Sequence, residues 1–266
     1  MAKRVLFFIY GSACYVVFLA TFLYAIGFIG GFGVPMRLDD PASSPLVPAL
    51  LANAALLGVF AVQHSVMARQ WFKDAWTKVV PRPAERSTYV LFSSLALIVL
   101  FWQWRPLGLP IWTVVNPVGR ALLHGGFAFG WLLVLVATFL INHFDLFGLR
   151  QVWLELLGRP YTPLAFKTPG LYRLVRHPLY VGWFFAFWMT PTMTAAHLLF
   201  DVATTAYILL AIQFEERDMM RGHREYGDYR RRVPMLIPGL KRGGTATIAP
   251  TWPERDRQAG RAGQAG

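Results

Sequence analysis

Charged residues and cysteine are both scarce in this sequence. Only 15% of the residues are charged, whereas 55% are hydrophobic. Soluble domains carry roughly 25% charged residues, so this balance excludes an ordinary soluble domain and indicates a membrane protein. The single cysteine, Cys14, lies within an apolar run. One cysteine excludes a disulfide framework within the chain, and its expected role is packing.

Acidic residues are scarcer than basic ones. The chain has 14 Asp and Glu against 26 Lys and Arg, which gives a formal net charge of +12. Such a balance can indicate a nucleic-acid partner, but no recognition-module pattern is present. Basic residues in an apolar chain instead typify loops that face anionic lipid. We therefore expect membrane lipid and no nucleic acid among the partners, and we expect no metal site.

Long apolar runs predict an all-α, polytopic bundle of helices that spans a membrane. Four runs approach the roughly 20 residues that cross a bilayer. A fifth run is too long for one ordinary helix and is interrupted at residues 190–194, where Pro191 breaks helices. It predicts a C-terminal helical hairpin whose first arm is short for a full crossing. The four predicted spans cover about 5–30, 46–67, 88–104 and 120–142, and the arms of the hairpin cover 179–190 and 195–213.

The basic residues predict the orientation of these spans. The loops on one side of the predicted bundle collect 23 of the 26 Lys and Arg residues, and those on the other side collect 3. Loops rich in Lys and Arg remain in the cytosol. Both termini are therefore expected to be cytosolic, and the hairpin is expected to return to the side that it left.

The two ends of the chain need separate interpretation. The N-terminus begins like a signal peptide, but its apolar run continues to about Phe32 and is long enough to be a retained helix. Residues 241–266 are rich in Gly, Ala and charge, and they predict a disordered tail. Residues 1–240 are then expected to form a single transmembrane domain.

Several polar side chains are predicted to meet at the cytosolic end of the bundle. His64 lies near the cytosolic end of the second span, and His143 and Asp145 lie at the cytosolic end of the fourth. The hairpin begins after Arg176 and His177, and Glu215 and Glu216 follow it. Ionisable groups at membrane depth are costly, which makes them candidates for function. Capping, headgroup contact and salt bridging to Arg217 or Arg221 are the structural alternatives.

The C-terminal part of the chain carries a resemblance to a known superfamily. Residues 176–182 read RHPLYVG, Glu215-Glu216 follows, and Tyr226-Gly227-Asp228-Tyr229 and Val233-Pro234 come next. This ordered set, within residues 168–238, resembles the isoprenylcysteine carboxyl methyltransferase and phospholipid methyltransferase superfamily. Members of that superfamily are integral membrane enzymes that use S-adenosyl-L-methionine.

The N-terminal half resembles a different group. Gln63-His64-Ser65, residues 86–89 (RSTY) and residues 102–106 (WQWRP) are similar to NnrU-type membrane proteins. The combination of the two halves looks most like the bacterial methanethiol S-methyltransferases, which make dimethyl sulfide. The resemblance implies methylation of a small volatile thiol, dependent on S-adenosyl-L-methionine, at the cytosolic face of a bacterial inner membrane.

The resemblance also implies where the cofactor binds, in a segment at about 165–238. His177 and Tyr180 would contact its amino-acid or ribose part, and one glutamate of the pair would hold its amino group or ribose hydroxyls, or face its sulfonium. Arg176 could hold its carboxylate, because a guanidinium binds carboxylates in a planar fork. Tyr229 would cover the cofactor from the C-terminal segment, and Leu171 would line the crevice.

The residues that would act on the methyl acceptor are inferred from their predicted depth in the membrane rather than from the resemblance. A thiol must lose its proton to become a good nucleophile. A histidine can accept that proton, so His64 and His143 are the predicted catalytic residues, with Asp145 expected to orient an imidazole. Alignment of the two reactants in a dry chamber can supply roughly 7–11 kcal/mol of the barrier reduction.

Other functions remain open from the sequence. The same fold could methylate a prenyl-cysteine carboxylate or a phospholipid amine. The NnrU-like half also allows a haem-binding isomerase or a denitrification-linked protein, in which His64 and a second histidine ligate iron. A transporter is disfavoured because no inverted repeat is visible.

Overall fold

The computed structural model describes residues 1–240, and the predicted tail at 241–266 lies outside the described residues. Within the described part, five helices are long and apolar enough to cross a membrane. The all-α architecture is confirmed, and the chain is an integral membrane protein. The five spanning helices are α1 (Ala2–Gly30), α2 (Leu46–Ala68), α4 (Arg82–Gln103), α5 (Pro117–Ile141) and α9 (Ala195–Gly222).

The ends of these helices follow local chemistry. Pro45 and Pro81 stand directly before α2 and α4, where a missing N–H costs nothing. Asn116 caps α5, since its side-chain oxygen accepts hydrogen bonds from the backbone N–H groups of Val118 and Gly119 at 2.9 and 3.0 Å. Gly31 ends α1 in the left-handed conformation, with φ at 77°.

The predicted hairpin is present, and its first arm is short. Helix α8 (Pro178–Trp188) has 11 residues, which corresponds to about 16 Å against a hydrocarbon core of roughly 30 Å. It ends just before Pro191, and Thr194 caps α9 by accepting from the backbone N–H of His197 at 3.1 Å. Helix α9 continues to Gly222, beyond the predicted end at 213, so both glutamates lie within the helix.

Glycines allow α8 to pack closely against α5. A Cβ at Gly130 would lie 2.4 Å from the backbone nitrogen of Ala186, and a Cβ at Gly182 would lie 2.8 Å from that of Val134. These two glycines therefore let the backbones approach each other, as small residues do in membrane helix pairs. The short helix is held by protein on this side, which allows it to stop within the membrane.

The described residues define two ends of the bundle. At the inner end α1 begins, α2 ends, α4 begins, and α5 and α9 end; the opposite end is the outer end. The inner end carries α3 (Gln70–Trp76), α6 (His143–Leu146), α7 (Leu149–Leu156), a 3₁₀ turn (Gly170–Arg173) and α10 (Tyr226–Arg232).

A short antiparallel sheet lies at the outer end, and the sequence analysis did not predict it. Strand β1 (Pro110–Thr113) pairs with β2 (Thr192–Thr194), with Thr113 opposite Thr192 and an irregularity between Pro110 and Trp112. The pairing uses backbone groups of two connecting segments, which would otherwise lack partners near the membrane. It joins the loop before α5 to the turn of the hairpin.

Aromatic side chains fill the core, and apolar side chains cover the lateral surface. Phe28 packs against Phe101 with ring centroids 4.8 Å apart, and Trp104 is 1% exposed. On the outside, Val62 and Leu122 are 64% and 72% exposed. Exposed apolar side chains along long helices match a hydrocarbon environment rather than water.

Candidate functional site

Glu216 is the centre of a buried ionic cluster at the inner end. Its Oε1 accepts from Nε of Arg176 at 2.7 Å and lies 3.1 Å from Nε2 of His177. Its Oε2 lies 2.9 Å from Nε of Arg230. The side chain of Glu216 is 3% exposed, so three nitrogen groups compensate for its loss of hydration.

The RHP segment is fixed to the C-terminal segment by its backbone as well. The N–H groups of Arg176 and His177 donate to the carbonyls of Pro234 and Met235 at 2.9 and 3.2 Å. One guanidinium nitrogen of Arg176 also donates to the carbonyl of Val233 at 2.6 Å. The guanidinium therefore donates hydrogen bonds to Glu216 and to nearby carbonyls in this structure. Its binding of a cofactor carboxylate stays a prediction.

The adjacent glutamate faces the opposite way. Glu215 has a side chain that is 49% exposed, and its Oε2 accepts from the hydroxyl of Tyr180 at 3.1 Å. Nδ1 of His177 lies 3.9 Å from the same oxygen. The pair is thus divided: Glu216 is satisfied inside the protein, whereas Glu215 keeps acceptor capacity for a ligand.

Tyr229 joins the C-terminal helix to the 3₁₀ turn. Its hydroxyl donates to the carbonyl of Tyr172 at 2.6 Å, and burial raises the pKa of Tyr229 to about 12. Leu171 is partly buried in the same turn, where its carbonyl accepts from the N–H groups of Leu174 and Val175. Both predicted cofactor residues therefore lie beside the Glu216 cluster at the inner end.

His64 lies in an aromatic surrounding on α2. The Tyr89 hydroxyl is 2.9 Å from Nε2 and 3.2 Å from Nδ1, and the Ser93 hydroxyl is 3.1 Å from Nδ1. Phe60 stacks on the imidazole with centroids 5.3 Å apart, and the ring of Tyr207 lies at 6.5 Å. A hydroxyl is therefore within reach of each ring nitrogen.

His143 is buried between α1 and α5. Its Nε2 is 2.8 Å from the hydroxyl of Tyr15, its Nδ1 is 2.9 Å from the hydroxyl of Thr138, and Phe139 stacks on the ring at 4.3 Å. Burial lowers the pKa of His143, because the charged imidazolium loses hydration. The imidazole is thus kept neutral and able to accept a proton.

The expected contact between Asp145 and an imidazole is not present. The carboxylate of Asp145 instead pairs with Arg150 at 2.8 Å and accepts from the hydroxyl of Tyr161 at 3.4 Å. Two hydroxyls already serve the ring nitrogens of His143, and the ion pair satisfies the aspartate on the other side of the short helix. The structure therefore gives Asp145 other partners, and its role in orienting an imidazole stays a prediction.

The two histidines flank one aromatic cluster. Tyr89, the partner of His64, packs in a cluster that also contains Phe147 and Phe18. Phe147 lies 4.8 Å from the His143 ring, measured between centroids. The histidines are thus brought to one neighbourhood without touching each other.

The His64 region lies deeper in the bundle than the Glu216 cluster. Ser65 donates to the hydroxyl of Tyr207 at 3.2 Å, and Arg69 pairs with Asp218 at 2.9 Å, so α2 and α9 run side by side at this end. Tyr207 precedes Glu216 by nine residues, which corresponds to about 13 Å along α9. The predicted groups therefore share one end of the bundle but occupy two levels rather than one depth.

Tyr180 joins α8 to the Glu216 level of α9, because its hydroxyl donates to the carboxylate of Glu215 at 3.1 Å. The sequence analysis did not nominate Tyr207, Tyr89 or Ser93, because hydroxyl groups in apolar helices give no periodic signal. Only the tertiary structure shows that they point towards His64.

Two cavities lie outside the surroundings of His64 and Glu216, and the larger one adjoins His143 and Asp145 through Asn142 and Arg150. One of about 520 Å³ opens between Phe8, Phe144 and Trp153, and one of about 220 Å³ lies at the outer end beside Asp39 and Arg120. Neither is lined by His64, His177 or Glu215. The candidate site therefore rests on side-chain chemistry rather than on cavity volume.

Known proteins share most of this sequence. A methanethiol S-methyltransferase from Crocosphaera subtropica is 59% identical over 237 residues, which cover 89% of this chain and 93% of that protein. A methanethiol S-methyltransferase from Mycobacterium tuberculosis is 55% identical and covers 89% of this chain and 97% of its own. Methanethiol S-methyltransferase 1 of Bradyrhizobium diazoefficiens is 54% identical, covering 87% of this chain and 81% of its own.

Other comparisons gave no match. No family model and no solved structure matches the chain. The similarity to the named relatives nevertheless covers nearly nine tenths of the sequence. The chain belongs to the methanethiol S-methyltransferase family.

Proposed function

We propose that this protein transfers a methyl group from S-adenosyl-L-methionine to methanethiol and releases dimethyl sulfide. The supporting observation is the 55–59% identity to two methanethiol S-methyltransferases over nearly the whole chain. The inner end offers acidic, hydroxyl and imidazole groups at membrane depth. We place the reaction at the cytosolic face of a bacterial inner membrane, in line with the distribution of Lys and Arg.

The residues at the inner end fit the proposed methyl donor. The donor carries an ammonium group and ribose hydroxyls, and the half-exposed carboxylate of Glu215 can accept hydrogen bonds from either. Tyr180 and His177 would border the same ligand, and Tyr229 and Leu171 would close its far side. Arg176 would act mainly through Glu216 by holding the segment in place. The donor supplies an activated methyl group, and the protein aligns the acceptor with it and excludes water.

The part of the site that binds methanethiol needs a group that accepts the thiol proton and little else. Methanethiol has one thiol and one methyl group, so an apolar aromatic surrounding suits it. His64 is the proposed proton acceptor, and His143 is a second candidate on the other side of the aromatic cluster. Both ring nitrogens of each histidine meet hydroxyl groups, which is a better arrangement for moving protons than for ligating haem iron.

Two measurements test this function. Purified protein in lipid vesicles is given methanethiol and the proposed donor, and dimethyl sulfide is measured in the headspace. Donor binding is measured separately by isothermal titration calorimetry. Folded protein that neither binds the donor nor forms the sulfide would refute the proposal, whereas methylation of a prenyl-cysteine or a phospholipid in place of the thiol would change the acceptor alone.

A further inference from the structure

A tyrosine hydroxyl stands at the ring nitrogens of His64. The Tyr89 oxygen lies 2.9 Å from Nε2, and the Ser93 oxygen lies 3.1 Å from Nδ1. A neutral imidazole has one donor and one acceptor nitrogen. When Ser93 accepts from Nδ1–H, Nε2 is the acceptor and the Tyr89 hydroxyl is its donor. In that arrangement a proton reaches Nε2 through the tyrosine oxygen.

Tyr89 also lies on the side from which the methyl group would come. Its partner His64 lies beside Tyr207 of α9, with ring centroids 6.5 Å apart, and Glu215, the half-exposed carboxylate, lies further along the same helix. The Tyr89 side chain is 8% exposed and packs against Met67 and other apolar groups. The hydroxyl is thus positioned in a dry, apolar environment with its imidazole partner already in place.

We propose that Tyr89 is a catalytic residue that relays the proton of the acceptor thiol to His64, and this inference rests on the proposed function. The S–H bond breaks as its proton moves to the Tyr89 oxygen, and the proton already on that oxygen moves to Nε2 of His64. Sulfur keeps the electron pair of the broken bond and becomes the thiolate that accepts the methyl group. Tyr89 is unchanged at the end, and the imidazole carries the extra proton.

Two neighbours complete the relay. Ser93 holds Nδ1 and so fixes which nitrogen is the acceptor; it is a positioning residue. The guanidinium of Arg86 lies 5.1 Å from the centre of the Tyr89 ring. A positive charge there disfavours a lasting imidazolium, so the imidazole is readily deprotonated again after each turnover.

The relay predicts a dependence on the acidity of the acceptor. Tyr89→Phe keeps the ring and removes the hydroxyl, so it should slow turnover of methanethiol about 100-fold, the size of a lost proton-transfer step. Hydrosulfide is smaller than methanethiol and already largely ionised at pH 8, so its methylation should fall less than about threefold. Donor affinity measured by calorimetry should be unchanged.

The matched control is Tyr207→Phe, which removes the hydroxyl of the other tyrosine near His64. That hydroxyl binds Ser65 rather than the imidazole, so the variant should treat both acceptors alike and stay within about threefold of the unmodified protein. Ser93→Ala provides a second variant should Tyr89→Phe fail to fold. It should slow methanethiol turnover about tenfold and spare hydrosulfide.

The outcomes separate the relay from the function on which it rests. Equal losses on the two acceptors in Tyr89→Phe would show that the hydroxyl supports structure or alignment, and the relay would be discarded. An acidity-dependent loss in Tyr207→Phe would move the relay to that residue. Absence of any methyl sulfide with the unmodified protein, despite donor binding, would instead refute the proposed function and the relay with it.

Discussion

The two ends of the bundle each bury a carboxyl group on α9, and they treat it in opposite ways. Glu216 at the inner end meets Arg176, His177 and Arg230 at 2.7 to 3.1 Å. Asp201 at the outer end is fully buried, and neither of its oxygens has a hydrogen-bond partner among the described residues. The nearest cationic candidate is His197, whose Nε2 is 3.7 Å away.

His197 is already engaged by other acceptors. Its Nδ1 lies 2.7 Å from the carboxylate of Asp39, and its Nε2 lies 3.0 Å from the carbonyl of Phe187. Asp39 also accepts from the hydroxyl of Thr194. The outer histidine therefore fastens the loop after α1 to the start of α9 and leaves Asp201 aside.

The difference indicates where the fold depends on charge. A buried carboxylate with several cationic partners becomes a fixed point, because removing one member leaves the others unpaired. A buried carboxyl with no partner forms no stabilising interaction, and its burial costs the free energy of hydration that it loses. The inner end is thus built around an ion cluster, whereas the outer end is built around backbone pairing and one histidine contact.

Glu216→Gln tests the first half of this comparison and should have the largest effect. The amide cannot compensate the two guanidinium groups of Arg176 and Arg230, and breaking a buried ion pair costs about 3–5 kcal/mol. Thermal unfolding in detergent should show the loss. The matched control is Glu215→Gln, because its half-exposed side chain should leave stability unchanged while donor affinity falls about tenfold. Equal stability of the two variants would contradict the division of the glutamate pair.

His177→Ala and His64→Ala test whether the inner end has two functional levels. His177 lies beside Glu215 and Glu216, so its removal should weaken donor binding about 10- to 100-fold. His64 lies beside Tyr207, which precedes Glu216 by about 13 Å along α9, so its removal should slow turnover about 100-fold with donor affinity retained. Calorimetry and initial rates measured on the same preparations separate the two effects. The reverse pattern would overturn the assignment of roles.

Much of this arrangement could be predicted from the sequence. Apolar runs, Pro191 and the basic loops predicted the five long helices and the hairpin, because span length and helix breaking are local properties. The resemblance to methanethiol S-methyltransferases was confirmed by the named relatives. The motif residues around Glu216 also meet in space, since the hairpin returns them to the side that it left.

Other features depend on tertiary contacts that no local pattern encodes. Strands β1 and β2 pair across some 80 residues of sequence, and with four and three residues they are too short to give a pattern that predicts strands. Asp145 selects Arg150 rather than an imidazole because the turn after α6 brings the guanidinium closer. The hydroxyls of Tyr89 and Ser93 lie about one helical turn apart on α4, yet only the crossing with α2 shows that they face His64.

Tyr229→Phe tests how firmly the C-terminal helix closes the inner end. Losing the hydrogen bond to Tyr172 should cost about 1 kcal/mol. The pKa of Tyr229 is raised to about 12 in the folded protein from an ordinary value of about 10. Between these pH values the folded state therefore binds more protons than the unfolded state. The stabilisation that neutral Tyr229 provides is fully present below pH 10 and is lost as the pH rises towards 12. The free energy of unfolding, measured from pH 8 to 11, should fall more steeply for the unmodified protein than for the variant.

Asp201→Asn should have the smallest effect and tests the second half of the comparison. The amide has nearly the same shape and carries no charge that must be buried, and the carboxyl that it replaces has no hydrogen-bond partner to lose. Stability should change by less than about 1 kcal/mol, in contrast to the same acid-to-amide change at Glu216. Asp39→Asn is the matched control, because it weakens the contact with His197 and should destabilise the outer end. A loss at Asp201 as large as that at Glu216 would show that His197 depends on a charge at both neighbours, and that the two ends of α9 are held in the same way.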